Sequence, residues 1–211
     1  MEMDLRGVEY ELKFEHIRKL NNFLDKNLNE WIYKETKAAY LSLSRLLVAK
    51  LIVFCRMKAG EASRISDFDF LFSDTVQKKR LPKHITQNAD GLTRAMQDRM
   101  FKLIFTTKYE RVSFVVLPSA VVDRMRDIVR LRDPLNLSLY DFLFVHPDDP
   151  RTPLKGNYAL QEAAKSALPD FPTCFVTAHH IREHYRVFTR DVTLEEWRRS
   201  PKLYDTETDD D

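Results

Sequence analysis

Only two cysteines occur among 211 residues. Cys55 and Cys174 lie in apolar surroundings without neighbours at metal-ligand spacing, so they offer neither a disulfide framework nor a thiolate metal site. That usage favours a reducing, intracellular setting, nuclear if the source is eukaryotic. Long apolar runs are missing as well. The best, Leu46 to Cys55, is broken by Lys50 and falls short of the roughly 18 residues that span a bilayer, so no membrane partner is expected. The opening "MEMDLRGVEYELK" mixes charges of both signs and lacks the apolar centre of a signal peptide. No internal repeat and no linker divides the chain.

What is present suits a folded body. Hydrophobic residues make up 44% and charged residues 31%, the balance of a globular chain long enough for one good core. The net charge of +2 hides an asymmetry. The tail "DTETDDD" holds five acids, and the first 204 residues carry 34 basic against 27 acidic groups, or +7. A basic body of this kind is compatible with a nucleic-acid partner.

Apolar spacing of three and four predicts a helix over residues 10–33, through Ile17, Leu20, Phe23, Leu24, Leu28 and Trp31. A second helix, apolar nearly all round, is expected from Ala38 to Met57, with Gly60 as its stop signal. "DFDFLFSD" alternates and gives way to a basic run, "QKKRLPKHITQ", that suits a solvated loop. Asp90 and Gly91 lead into a short helix, "LTRAMQDRMFK", and "KLIFTT" and "RVSFVVLP" form a strand pair around "KYE". Ser119 is placed to cap "AVVDRMRDIVRLR", which Pro134 ends. "DFLFVHPDDPRTPL" is extended and then turns, and "GNYALQEAAKSAL" and "HHIREHYRVFTRD" are the last helices. Phe68, Phe70, Phe72, Phe142 and Phe144 are expected in the core. The fold class is α+β, mainly helical with a small antiparallel sheet.

"TAHHIREHYRVF", residues 177–188, gathers three of the six histidines beside an arginine and a glutamate. Three readings compete. The first is an amphipathic helix with a wet polar face. The second is metal: His180, Glu183 and His184 fit H-x-x-E-H, with the histidines one turn apart as zinc ligands and Glu183 as general base. A third ligand would then have to come from later in the chain. The third is phosphate: His179 and Arg182, three apart on one face, present an imidazole and a planar guanidinium fork to the same point. A phosphodiester under attack needs such a pair, because its non-bridging oxygens gain charge in the transition state.

The phosphate reading finds company elsewhere. "LIVFCRMKAGEASRIS" runs from an apolar helix into basic residues and Gly-Glu; Lys108 sits in the strand-pair turn "FTTKYERV"; "DFLF" follows, then a helix, then H-x-I-R. In this order the segments resemble the catalytic domain of the tyrosine recombinases, or phage-type integrases, closest to divergent animal members whose first motif is like "LFNRRRxGE". The likeness covers roughly residues 15–190. It implies a DNA breaking-rejoining catalytic core over residues 37–190, a preceding helix (1–36) that is the remnant of another module, and a divergent or truncated segment over 191–211 with the acidic tail. It also implies an origin in a mobile element's integration or recombination enzyme.

The family's chemistry is strand exchange through a 3′-phosphotyrosine, with no metal and no nucleotide cofactor. Duplex DNA is the implied partner, with self-association on DNA. Arg182 matches the second arginine, His179 the histidine of H-x-x-R, and Lys108 the turn lysine that protonates the leaving oxygen. The first arginine is replaced by Lys58, which keeps the charge and loses the bidentate fork. Arg56, a further DNA-binding candidate, would point about 160° away from Lys58 if both were helical. Glu61 resembles the acid that follows the first arginine and would pair with a basic neighbour. No Gly-His pair follows H-x-x-R, and Tyr204, the candidate nucleophile, lies 22 residues beyond Arg182 beside the acidic tail. Trp197 stands where the missing histidine's substitute would be sought. The resemblance therefore implies an impaired enzyme. Simpler readings stay open: Lys108 as an ordinary hairpin-turn residue, Lys58 as a helix-end cation, Trp197 and Tyr204 as packing residues, and the whole as a zinc hydrolase or a non-enzymatic helical interaction module.

Overall fold

In the computed structural model, residues 11–78, 100–107 and 109–191 are described. The fold is built round α2 (Lys37–Cys55), whose Thr36 hydroxyl caps the first turn by accepting from the Ala39 amide at 3.2 Å. Tyr40, Leu43, Leu47, Val48, Leu51, Ile52 and Val53 are buried, so every side of this helix meets protein. Against the sequence expectation, α2 is long and apolar enough to cross a membrane by length and composition, although more than half of it is buried within this fold. Nor does Lys50 interrupt it. Lys50 is fully buried and ion-paired with Asp25 at 2.6 Å, donates to Asn21 Oδ1 at 2.8 Å, and lies over the Phe54 ring. Burial lowers its pKa, and Asp25 opposes that shift. The lysine thereby fastens α2 to α1 (Phe14–Asn29), whose Ile17, Leu20, Leu24 and Leu28 join the same core.

α2 stops at Cys55, earlier than the spacing suggested. Arg56 turns left-handed, at φ 57°, and Gly60 lies inside the next short helix, α3 (Ala59–Ser63), rather than acting as the stop. The alternating "DFDFLFSD" is also helical: α4 runs Asp67–Lys78. Ser66 and Asp69 cap each other there, with the Asp69 amide donating to Ser66 Oγ at 2.9 Å and the Ser66 amide to Asp69 Oδ2 at 3.3 Å. This reciprocal box is the local helix signal that the alternation masked. Helical spacing redistributes the phenylalanines. Phe70 enters the core, while Phe68 and Phe72, expected inside, sit on the outer face and stack on each other at 6.0 Å. Phe144 is buried and Phe142 packs against the core, as anticipated.

β1 (Met100–Thr106) pairs antiparallel with β2 (Val112–Pro118), from Met100 opposite Pro118 to Thr106 opposite Val112. The strand begins at Met100, so the helix expected through Lys102 does not reach that far; its earlier part lies outside the described residues, as does most of the basic run after Lys78. Phe101, Leu103 and Phe105 point inward, and Ser73 of α4 accepts from the Ile104 amide at 2.8 Å. α5 spans Ser119–Arg132 with Pro118, not Ser119, at the cap position and no side-chain cap bond. A second hairpin joins β3 (Val145–His146) to β4 (Asp149–Pro153), followed by α6 (Gly156–Ala167), a single 3₁₀ turn (Thr173–Phe175) and α7 (Ala178–Asp191). The α+β class holds: seven helices with small antiparallel pairs among the described residues.

Residues 140–145 thread between these elements and are pinned by two buried side chains. Arg132, fully buried at the end of α5, donates to the carbonyls of Tyr140, Phe142 (2.6 Å) and Leu143 (3.3 Å) and pairs with Asp67 at 3.7 Å. Tyr40 of α2 donates to Leu143 O at 2.8 Å and accepts from the Val145 amide at 3.3 Å. The α3–α4 junction adds Leu143 N to Ile65 O at 2.9 Å and Asp67 N to Asp141 O at 2.9 Å. Burial pushes the Asp67 carboxyl up while Arg132 draws it down.

Replacing Arg132 by Met strands three carbonyls and an acid, and we expect a loss of about 3–5 kcal/mol in urea denaturation; Tyr40→Phe should cost about 1–3 kcal/mol. Cys55, half-buried and donating to Val116 O at 3.8 Å, has its thiol pushed up to about 12 by burial, whereas Cys174 is exposed. Cys55 therefore stays a neutral thiol across the physiological range. At pH 8 the native chain should take up one equivalent of iodoacetamide, at Cys174, and a second only on unfolding, as read by mass spectrometry.

Candidate nucleic-acid interface

The cationic candidates lie where α2 ends and α7 begins. Because Arg56 leaves the helix in a left-handed conformation, it does not point away as a helical residue would. Its guanidinium lies over the Tyr185 ring of α7, 3.9 Å from the centroid. Two residues on, Lys58 is the cap residue of α3. Its amide donates to Glu61 Oε2 at 3.3 Å and its ammonium pairs with Glu61 Oε1 at 3.5 Å, with the Lys58 side chain mostly exposed. Glu61 thus finds the basic neighbour expected of it, and that neighbour is Lys58 itself.

α3 is held against the start of α6 by the absence of a side chain. A Cβ on Gly156 would meet Ala59 O at 2.5 Å and Ser63 Oγ at 2.9 Å, so only glycine allows the two backbones this close. The next residue, Asn157, accepts from the Ala178 amide at 3.5 Å, tying the start of α6 to the start of α7. Thr177 caps α7 by accepting from the His180 amide at 3.2 Å. A chain of short contacts therefore links Lys58's helix to the turn that carries His179 and Arg182.

On α7, Ile181 is fully buried and fixes which face looks inward. Arg182 is half-buried and donates from Nε to Ala178 O at 3.3 Å; among the described residues its terminal nitrogens have no hydrogen bond or ion pair. His179 is exposed. Tyr185 stands one turn beyond Arg182 on the same side of the helix. Among the described residues, no hydrogen bond or ion pair joins Lys58, His179 and Arg182 to one another; what brings their elements together is the packing of α2, α3, α6 and α7. Lys108 and Tyr204, like Trp197, lie outside the described residues.

The zinc reading meets other commitments. His180 Nδ1 donates to Phe175 O at 2.6 Å, and the His184 ring is packed between Phe14 and Tyr185 with its Nε2 buried. Glu183 pairs with Arg186 at 2.8 Å. Among the described residues no group of three His, Cys, Asp or Glu is arranged to hold a metal. Sequence reasoning missed Tyr185 and Gly156. The first was legible as the residue three after Arg182, and the second carried no signal beyond being a glycine at a helix start.

No protein-family model matches this chain, and no curated protein is similar to it in sequence. Solved structures share its fold, among them two recombinase complexes. One is the XerH site-specific recombinase bound to difH substrate in a pre-cleavage complex, with a TM-score of 0.52 and 17% identity over 90% of this chain and 46% of that one. The other is XerH bound to palindromic difH substrate in a post-cleavage complex, with a TM-score of 0.50 and 17% identity over 85% and 42%. This chain spans less than half the length of these recombinases. The likeness establishes the fold alone, one shared with these site-specific recombinases.

If Gly156 sets the approach of α3 to α6, Gly156→Ala must push Ala59 and Ser63 away. We expect a loss of about 1–3 kcal/mol in thermal or urea unfolding, with a change in amide exchange concentrated in α3 and the start of α7.

Proposed function

We propose that this chain binds duplex DNA through its phosphate backbone, as the derivative of a mobile element's strand-exchange enzyme, with impaired catalysis. The observation that carries the reading is the placement of two cations, Arg56 and Lys58, at the end of a helix packed against the helix that bears Arg182. This occurs in a fold shared with recombinases captured on DNA. A backbone phosphate held there would accept from the Arg182 fork and from His179, with Lys58 contributing a point charge. Fixed charge of this kind stabilises the pentavalent transition state most, because the equatorial oxygens carry more charge there than in the ground state.

The strand-cleavage step itself would have a tyrosine hydroxyl lose its proton to water as it attacks phosphorus, breaking the P–O5′ bond and forming a 3′-phosphotyrosine. The freed 5′ oxygen would take a proton from Lys108. Tyr204 is the candidate nucleophile in this chain, and a tyrosine from a second copy assembled on the same DNA is the other source. Impairment follows from Lys58: an ammonium paired with Glu61 cannot present the two parallel donors that grip a phosphate as it becomes planar. Binding outlives such a change, because affinity for duplex DNA rests on counterion release and needs no transition state.

The test is a titration of a fluorescent duplex at several salt concentrations. Affinity should fall steeply as salt rises. Arg182→Ala should weaken binding about tenfold and reduce the magnitude of the log–log salt slope by about one. A nicked duplex that traps covalent complexes should give little or no phosphotyrosine adduct. Binding indifferent to salt, or unchanged in Arg182→Ala, would sink the phosphate assignment.

A further inference from the structure

Arg56 joins a left-handed backbone to a guanidinium that faces a ring; the second feature is shared with Arg45 over Tyr158 and Arg124 over Trp31, the first with neither. Its backbone is left-handed at the end of α2, a position where glycine sits without penalty and a side chain is strained. Strain kept at one residue asks for a compensating role. Among the described residues its guanidinium makes a single contact, the stack on Tyr185, and its side chain is exposed. By contrast Arg124, Arg126 and Arg130 are bound to aspartates and Arg132 to carbonyls. Stacking uses the face of a guanidinium and leaves its edge, where the N–H donors lie, open. An edge held in one plane by a ring is organised before any anion arrives, so little side-chain freedom is lost on binding.

Its neighbours make the vacancy specific. Lys58, two residues away, has its charge partly answered by Glu61 and has no planar fork. Across the packing, Tyr185 leans back along α7 toward the turn of Arg182, as helical side chains do. We infer that Arg56 supplies the guanidinium fork that Lys58 lacks, binding DNA phosphate together with Arg182, and that Tyr185 is the positioning residue that holds its plane. This rests on the DNA-binding reading above and extends it to a residue whose role depends on the left-handed exit from α2.

The experiment compares the full-length chain with Arg56→Gly, Arg56→Lys and Tyr185→Leu, measuring thermal midpoint, duplex affinity and salt slope for each. Arg56→Gly removes both strain and fork. It should hold or raise the thermal midpoint while weakening binding about tenfold and flattening the slope by about one. Arg56→Lys keeps the charge, so the slope should stay while affinity falls severalfold. Tyr185→Leu leaves every cation in place; it should weaken binding with the slope unaltered, a result that mere loss of a phosphate contact would not give. If Arg56→Gly lowers the midpoint and binds like the parent, Arg56 is only packing and the inference is overturned, while Arg182→Ala tests the DNA site independently. Should Arg56→Gly fail to fold, parental affinity in Arg56→Lys overturns it equally. Salt-independent or absent binding by the parent chain removes both the inference and the reading beneath it.

Discussion

The buried guanidinium of Arg132 is the constraint on which the arrangement depends. A fully desolvated cation is tolerated only if its donors are answered, and here the answers come from three carbonyls of a single irregular stretch and from Asp67. An irregular segment inside a protein has the converse problem, since its own carbonyls lack ladder partners. Each deficiency satisfies the other. Tyr40 completes the arrangement from α2, so the irregular residues 140–144 are held in place as they lead from the surface into the core and β3. The end of α5, the start of α4 and the first turn of α2 are thereby fixed relative to one another.

That fixing has consequences at the far end of α2. The helix is clamped at Tyr40 by the 140–145 segment and at Lys50 by α1, one contact near its start and one near its end. Its final turn therefore has a set direction. The chain leaves that turn through the left-handed Arg56 and re-enters a helix within three residues, at Ala59. Gly156 lets α6 close on this short helix, and Asn157 carries the connection to α7. The elements that carry the proposed phosphate-binding cations are thus placed by helix packing, with no hydrogen bond or ion pair among Lys58, His179 and Arg182 in the described residues. Such an arrangement suits an anion site, because cations that satisfied one another's positions through shared acids would have less charge left for a ligand.

Much of the architecture was legible from periodicity: α1, α2, the β1–β2 pair, α5, α6 and α7 lie where the apolar spacing puts them. The misreadings have definite causes. In "DFDFLFSD" a period of two in the aromatics outweighed the Ser66–Asp69 capping pair, yet the helix packs only Phe70 of the three phenylalanines inward. Arg56 carried no mark of its conformation, since the usual sign of a left-handed helix exit is glycine or asparagine. Arg132 was not singled out in the sequence, since nothing local to "RLR" told that its partners are carbonyls eight to eleven residues on. The phosphate candidates were found by order and spacing along the chain, while Tyr185, which touches Arg56, became visible only once α7 was packed against α2.

Three of the groups that set the fold, Arg132, Tyr40 and Lys50, are buried and hold their partners within the protein, while Gly156 packs beside the helix that Lys58 caps. The exposed cations contribute little to holding the structure together: Lys58 has a surface pair worth at most about 1 kcal/mol, and His179 makes no bond that orders the fold. Substitution at these positions is therefore nearly free of structural cost. Positions that demand transition-state geometry, such as a bidentate fork or a nucleophile, can drift while the body stays folded. Electrostatic attraction for a polyanion depends on how many cations face it and only weakly on their shape. A cation lost or blunted at one position can then be answered by another that the same helix end brings to the same face, whereas a lost nucleophile cannot be replaced by charge.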